Sequence, residues 1–262
     1  MKNNKFLDNL IITLVFLFLF LPIFVIILFS FNTSSLNVVF EGFTLDWYRE
    51  IFNNKTLLES IFNTLILAIS STIVSTILGT ISAYAIHEFN FPFKNFINKL
   101  LYIPIVIPEI VLGISLLCTY TFLKVRLGMF TLFLSHVCFS TPFVIINVRG
   151  VLESINPTIQ QAAFDLGASR FKTFNKIIVP LLVPGIISGA ELAFTLSLDD
   201  VVISYFTAGP GSNTLPLYIY SILKTGITPD VNAIITIMIL IIGIVLTFNL
   251  IHNVRGLKNE EI

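Results

Sequence analysis

Four acidic residues lie within or at the edge of apolar stretches of this 262-residue chain: Glu109, Glu191, Asp199 and Asp200. A charge at the centre of a bilayer costs about 2.5–3.5 kcal/mol on insertion scales, so such residues usually face a cavity, a partner or a translocated ion. The same stretches contain no Lys or Arg that could neutralise them. The four acids therefore predict a pathway for a cation.

A second interpretation of these acids stays open. Glu109 and Glu191 could be protonated or hydrogen-bonded structural residues, and Asp199 and Asp200 could be interfacial residues in water. Because a helix rises about 1.5 Å per residue, a continuous helix from Leu100 would place Glu109 about 15 Å from the cytoplasmic side. Glu191 is predicted at a similar depth, near the midplane, and the two Asp residues near the outer end of their helix.

The elements that carry these acids are long apolar segments. Hydrophobic residues make up 55 % of the chain and charged residues 11 %, against about 25 % charged in soluble domains. This composition excludes a soluble enzyme, a nucleic-acid-binding protein and a disordered tail. An all-α integral membrane fold with six transmembrane helices is predicted, with spans at about 10–31, 60–86, 100–123, 127–148, 177–203 and 231–251.

The distribution of basic residues predicts the orientation of these spans. With the N-terminus in the cytoplasm, ten of the 15 Lys and Arg residues lie on the inner side, as the positive-inside rule requires. Both termini are therefore expected in the cytoplasm. The predicted organisation is an anchor helix with an extracytoplasmic segment (1–59), a transmembrane domain (60–252) and a cytoplasmic tail (253–262).

Two further polar features of the spans favour packing. Ser71, Ser75, Gly79 and Ala83 recur every four residues, and small residues at this spacing allow helices to approach closely. This stripe is expected to pack within the bundle, with a contact to a partner subunit as the alternative. His136 is predicted to be a hydrogen-bonded structural residue rather than a proton relay.

The longest cytoplasmic loop, 149–176, contains strong helix signals. Asn156 and Pro157 suit the N-cap and first position of a short helix. Gly167 suits the left-handed position that ends it, and Ser169 can cap the next helix. Two helices separated by a glycine break are therefore predicted to stand off the membrane.

The loop resembles the EAA loop of the inner-membrane permeases of ABC transporters. That pattern has E-A-A, three residues, Gly, nine residues and I-x-L-P, with Gln161 replacing Glu and Val179 replacing Leu in this chain. The resemblance implies the type I ABC importer permease architecture, in which a coupling helix within residues 157–180 contacts a separate ATPase. The coupling residues implied are Gln161, Ala162, Ala163, Asp165, Gly167, Ile177 and Pro180.

The same resemblance implies the partners of the chain. They are a second homologous permease subunit, a dimer of ATP-binding subunits and an extracytoplasmic binding protein, assembled in a bacterial cytoplasmic (inner) membrane that this multi-pass chain crosses. No glycine is followed by lysine, so the chain has no phosphate-binding G-x-x-x-x-G-K-[ST] loop. ATP and Mg²⁺ are therefore expected on the partner ATPase, and no cofactor, metal site or catalytic residue on this chain.

Residues 198–204, 209–216 and 231–233 resemble the corresponding regions of polyamine permeases, as does the segment 43–48. The resemblance implies spermidine or putrescine as cargo and a polyamine-specific binding protein. A flexible polycation needs carboxylates for its charge and aromatic faces for its alkylammonium groups. The pathway residues expected on this basis are Glu109, Glu191, Asp199, Asp200, Tyr205 and Phe206.

The residues bear on two alternative functions, an intramembrane enzyme and a permease for a different cation. An intramembrane protease would need G-x-S-G, but Gly113-Ile114-Ser115 is followed by Leu116, and the His87-Glu88 pair lacks the second His of H-E-x-x-H. A permease for another small cation, such as ferric iron or thiamine, stays open because the acids do not distinguish between cations.

Overall fold

The computed structural model describes residues 5–34, 39–224 and 229–240. These residues are mostly helical, and an isolated antiparallel bridge joins Asn32 and Phe43. The helices are α1 (Lys5–Phe29), α2 (Asp46–Asn53), α3 (Lys55–Glu88), α4 (Lys94–Leu100), α5 (Ile103–Val106), α6 (Glu109–Phe122), α7 (Met129–Leu152), α8 (Pro157–Asp165), α9 (Arg170–Thr173), α10 (Val179–Asp199), α11 (Val202–Thr207), α12 (Leu215–Leu223) and α13 (Pro229–Leu240). A π-helical turn, Phe174–Ile178, joins α9 to α10.

Four helical segments of the described residues are long and apolar enough to cross a membrane: Asp8–Phe29, Lys55–Glu88, Met129–Leu152 and Arg170–Asp199. A fifth span results if the bent pair of segments Lys94–Val106 and Glu109–Phe122 counts as one. The predicted count of six is not confirmed, because α13 covers only part of the sixth span. Residues 241–251 and the predicted tail, 253–262, lie outside the described residues.

The third predicted span is not one continuous helix. Its two halves meet at an angle of 111°, and Ile107 and Pro108 between them have extended backbones with ψ of 136° and 134°. Pro108 has no N–H to donate and disfavours a helical conformation at the residue before it. Pro108 therefore breaks this span, and Glu109 is the first residue of α6. The continuous helix from Leu100, which the depth estimate for Glu109 assumed, is not formed.

The fifth predicted span, 177–203, also differs from the prediction. Its helix begins at Arg170 and ends at Asp199, and a separate helix, α11, starts at Val202. Asp200 between them is extended, with ψ of 123°. The π-helical turn lies just before Pro180, which cannot donate the backbone hydrogen bond of a regular α-helix.

The chain divides into two compact units. One contains the described parts of Met1–Leu58 and Ser221–Ile262, and the other is Glu59–Tyr220. In the first unit, the segment between α1 and α2 is fixed by side-chain hydrogen bonds. Trp47 Nε1 donates to the Asn32 carbonyl at 2.6 Å, and the hydroxyls of Ser30 and Tyr48 are 2.7 Å apart.

The core of the second unit lies where α3, α7 and α10 pack together around Val144, Val148 and Leu182. Close approach depends on glycine, since a Cβ added at Gly79 would lie 2.6 Å from Val144 Cβ. Four small residues of α3 are buried along this contact: Ser71, Ser75, Gly79 and Ala83. The predicted stripe of small residues therefore packs within the chain.

Candidate functional site

Helix α8, in the loop between α7 and α10, begins and ends at the predicted residues. The side-chain oxygen of Asn156 accepts a hydrogen bond from the Thr158 N–H at 3.0 Å, and Pro157 is the first helical residue. Gly167 follows the helix with φ of +80°. Ala168 N–H donates to the Ala163 carbonyl at 3.0 Å, which is the six-to-one bond of a Schellman motif.

Helix α9 starts at its predicted cap, because Ser169 Oγ accepts a hydrogen bond from the Lys172 N–H at 3.3 Å. A continuous helical path, including the π-helical turn, leads from there to Asp199. The coupling residues on α8 differ in exposure: Gln161, Ala162 and Asp165 are exposed and Ala163 is buried. After Gly167, Ile177 is half-buried and Pro180 is exposed.

This loop presents large apolar side chains to its surroundings. Leu166 is 90 % exposed and Phe171 is 76 % exposed. Large exposed apolar side chains can mark a protein-binding surface. The loop is therefore a candidate docking surface.

The loop is also connected to α3. Gln160 Nε2 donates to the Tyr84 hydroxyl at 3.3 Å, and the ring centroids of Tyr84 and Phe174 are 4.6 Å apart. A cleft of about 370 Å³ beside these contacts is lined by Gln161 and Phe164 among other residues. Tyr84 of α3 therefore contacts both α8 and the π-helical turn that leads to α10. No local sequence pattern indicated these contacts of Tyr84 and Gln160.

Helix α10 has two different faces. Its buried face consists of Leu182, Gly185, Gly189, Ala193 and Ser197. The exposed face contains four polar residues at spacings of three and four, which place them on one side of a helix. These residues, called the polar stripe from here on, are Ser188, Glu191, Thr195 and Asp199.

The other predicted pathway residues lie on α6 and α11. Glu109 is exposed, and Tyr205 is 54 % exposed. Tyr205 contacts Phe206 and Tyr220 edge to face, with ring centroids 5.4 Å and 6.0 Å away. Phe206 is half-buried and packs on α6, where a Cβ added at Gly113 would lie 2.7 Å from Phe206 Cδ2.

Asp200 differs from the other three acids because it is buried. One carboxylate oxygen accepts a hydrogen bond from the Ile203 N–H at 3.1 Å, and the other accepts from the Ser204 N–H at 2.7 Å. The second oxygen also lies 3.5 Å from Nε2 of His136. Although the apolar stretches contain no Lys or Arg, Asp200 has a partner within the chain, a histidine supplied by α7.

His136 is fully buried and hydrogen-bonded, as predicted. Its Nδ1 lies 2.7 Å from Ser197 Oγ, and its Nε2 lies 3.0 Å from Ser204 Oγ. Ser197 Oγ is in turn 3.0 Å from Ser71 Oγ on α3. We call Ser71, His136, Ser197, Asp200 and Ser204 the His136 cluster. Sequence patterns could not reveal it, because its members come from four separate helical segments.

The described residues contain no group of three or more His, Cys, Asp or Glu side chains that could hold a metal ion. The candidate site has three parts: the exposed polar stripe with Tyr205 nearby in sequence, the buried His136 cluster at the break after α10, and the loop between α7 and α10.

Comparison with known proteins identifies the class. Residues 75–254 match the family described as "Binding-protein-dependent transport system inner membrane component". The spermidine/putrescine transport system permease protein PotC of Escherichia coli (strain K12) is 39 % identical over 229 residues, covering 87 % of each chain. The putrescine transport system permease protein PotI of the same strain is 36 % identical over 242 residues, covering 90 % of this chain and 86 % of PotI.

Solved structures share the fold. A chain of a bacterial ABC transporter involved in the import of the acidic polysaccharide alginate superposes with a TM-score of 0.74 at 17 % identity, covering 95 % of each chain. A chain of the MetNI methionine ABC transporter in an inward-facing conformation gives a TM-score of 0.62 at 16 % identity, covering 76 % of this chain and 95 % of that one. The homologues are transport permease subunits and not enzymes. The chain therefore belongs to the family of binding-protein-dependent transport system inner membrane components, which are transport permease subunits.

Proposed function

We propose that this chain is a permease subunit of an ATP-driven polyamine importer, which moves spermidine or putrescine across the bacterial cytoplasmic membrane. The observation that carries this proposal is the exposure of Glu191 and Asp199 on one face of an apolar spanning helix. The names of the relatives PotC and PotI support the choice of cargo.

The chemistry of the polar stripe fits a flexible polycation. Glu191 and Asp199 take no part in the ion pairs found among the described residues, which involve Asp46, Glu153 and Asp200. An unpaired carboxylate is too costly to face lipid, so the stripe faces a water-filled path. Protonated amines supply the missing positive charge as they pass, and the exposed ring of Tyr205 adds a cation–π surface.

The path requires a second wall, because this side of α10 is open in the single chain. A second homologous permease subunit supplies that wall, with Glu109 and the polar stripe lining the path on this side. An extracytoplasmic polyamine-binding protein delivers the cargo, and both termini lie in the cytoplasm. Phe206 contributes by holding α11 against α6.

Energy enters through the cytoplasmic loop. A dimer of ATP-binding subunits holds ATP and Mg²⁺ and contacts α8 and the exposed Leu166 and Phe171. Movement of that dimer reaches α3 through Gln160 and Tyr84, and reaches α10 through the helical path from Ser169. Glutamine at position 161 provides hydrogen bonds at this contact in place of a salt bridge. The coupling set is Gln161, Ala162, Ala163, Asp165, Gly167, Ile177 and Pro180.

The test is uptake of labelled spermidine and putrescine by proteoliposomes that contain the full complex with its binding protein. We expect Asp199→Asn and Glu191→Gln each to reduce uptake at least tenfold while ATP hydrolysis persists. Glu41→Gln, which removes an exposed acid of the other unit, is the charge-matched control and should transport normally. Failure of the wild-type complex to move either polyamine while it hydrolyses ATP would refute the cargo assignment.

A further inference from the structure

We infer that Asp200 and His136 are positioning residues, which hold the break between α10 and α11 so that Asp199 and Tyr205 both face the path. Asp200 therefore serves as a hydrogen-bond acceptor for the protein backbone and does not contact cargo. This inference rests on the proposed function for the role of the path, and on the geometry of the His136 cluster for the role of Asp200.

Asp200 provides acceptors for the first N–H groups of α11. The first N–H groups of a helix lack partners within it, and leaving such a group unpaired in a buried setting is destabilising. The two carboxylate oxygens of Asp200 accept from Ile203 and Ser204 at 3.1 Å and 2.7 Å. Asp200 thus fixes where α11 begins, although it lies one residue before the usual capping position.

Helix α7 contacts the chain on both sides of the break. His136 lies 2.7 Å from Ser197 Oγ in α10 and 3.0 Å from Ser204 Oγ in α11. The far end of α11 is held as well, because Thr131 Oγ1 donates to the Thr207 carbonyl at 2.8 Å. Helix α7 therefore holds the end of α10 and both ends of α11.

These contacts orient residues on both sides of the break. On either side of the break, Asp199 and Tyr205 are exposed, whereas Asp200, Ile203 and Ser204 are buried. If α10 continued as a regular helix, Tyr205 would lie six residues and about 240° around the axis from Asp199. Because Asp200 is extended, α11 need not continue the axis of α10. The contacts of the His136 cluster then determine the orientation of α11.

The transport test separates a positioning carboxylate from a cargo-binding one. Asp200→Asn removes the charge and keeps one of the two acceptor oxygens, so it retains one of the two backbone hydrogen bonds. We expect its KM for spermidine to rise no more than about threefold. Asp200→Ala leaves the two N–H groups unpaired, and we expect KM to rise at least tenfold. Asp199→Asn, which removes the same charge one residue away, should resemble Asp200→Ala. Equal damage from Asp200→Asn and Asp200→Ala, with normal amounts of assembled complex, would overturn the inference.

A second readout does not depend on the cargo. Tyr205→Cys, in a complex whose Cys118 and Cys138 are replaced by Ala, is labelled with a water-soluble maleimide. We expect Asp200→Ala and His136→Ala each to change the labelling rate at least fivefold, and the double variant to match the single ones. Asp200→Asn, which keeps one acceptor oxygen, should change the labelling rate less than Asp200→Ala does. Equal rates in all variants would overturn the inference. If labelling follows this expectation in a complex that moves no polyamine, the proposed function fails and the positioning role stands.

Discussion

Gly79 shows how a single atom controls the packing of α3 on α7. A Cβ at this position would lie 2.6 Å from both Cβ and Cγ1 of Val144, closer than carbon atoms pack. Gly150, which lies on α7 as Val144 does, has nothing within 4 Å of an added Cβ. The packing therefore requires glycine at position 79 but not at position 150.

Gly79→Ala should destabilise the protein despite the higher helix propensity of alanine. Overpacking a filled contact costs about 1–3 kcal/mol, whereas Ala in an exposed helix gains about 1 kcal/mol over Gly. We expect the thermal transition of the purified complex in detergent to fall for Gly79→Ala and to stay or rise for Gly150→Ala. A drop of the same size in both variants would contradict the packing described.

At the scale of elements, the end of α8 depends on Gly167. Its φ of +80° is open to glycine and, less readily, to asparagine, and no neighbouring atom restricts a side chain there. Gly167→Ala should therefore strain the backbone by about 1 kcal/mol and reduce transport per ATP hydrolysed. Gly167→Asn should be closer to wild type. Identical coupling ratios for alanine and asparagine would show that the left-handed conformation has no role.

The exposed residues that flank α8 should control the contact with the ATPase. Leu166→Ser and Phe171→Ser remove apolar surface and leave Asn156, Gly167 and Ser169 in place. Each variant should therefore fold but lose at least tenfold in affinity for the ATP-binding subunits. Phe122→Ser is a suitable control, since Phe122 is 85 % exposed but lies at the end of α6. Co-purification at decreasing concentrations of the ATP-binding subunits measures the affinity, and undiminished binding by Leu166→Ser would argue against this docking surface.

Local signals explain which elements the sequence predicts well. The start and end of α8 depend on Asn156, Pro157 and Gly167, which act within a few residues of themselves. The bend before α6 was indicated by Pro108, but neither its angle nor the resulting position of Glu109 follows from a proline alone. The break at Asp200 could not be predicted, because the histidine that stabilises it lies in another span.

At the scale of the whole molecule, the candidate site was only partly predictable for the same reason. The residue types and the apolar surroundings identified four acids, but exposure separates them into two roles. Glu109, Glu191 and Asp199 are exposed, whereas Asp200 is enclosed by its own chain. A sequence shows that a carboxylate lies in a span, and the packing of α7 against α10 decides whether it faces a path.

In the proposed function, the polar stripe of α10 faces a path used by polyamines. Thr195 lies between Glu191 and Asp199 on this stripe. Val183 on the same helix is 43 % exposed but lies about 120° around the axis from the stripe. A cysteine at each position, with Cys118 and Cys138 replaced by Ala, compares the stripe with another exposed part of the helix.

The most direct test is therefore the rate at which a water-soluble thiol reagent modifies Thr195→Cys and Val183→Cys in the assembled complex, with and without spermidine. We predict that Thr195→Cys reacts readily and that spermidine slows its modification at least fivefold, while Val183→Cys reacts slowly and without regard to spermidine. Equal rates at the two positions, or no protection of Thr195→Cys by spermidine in a complex that hydrolyses ATP, would contradict a polyamine path along α10.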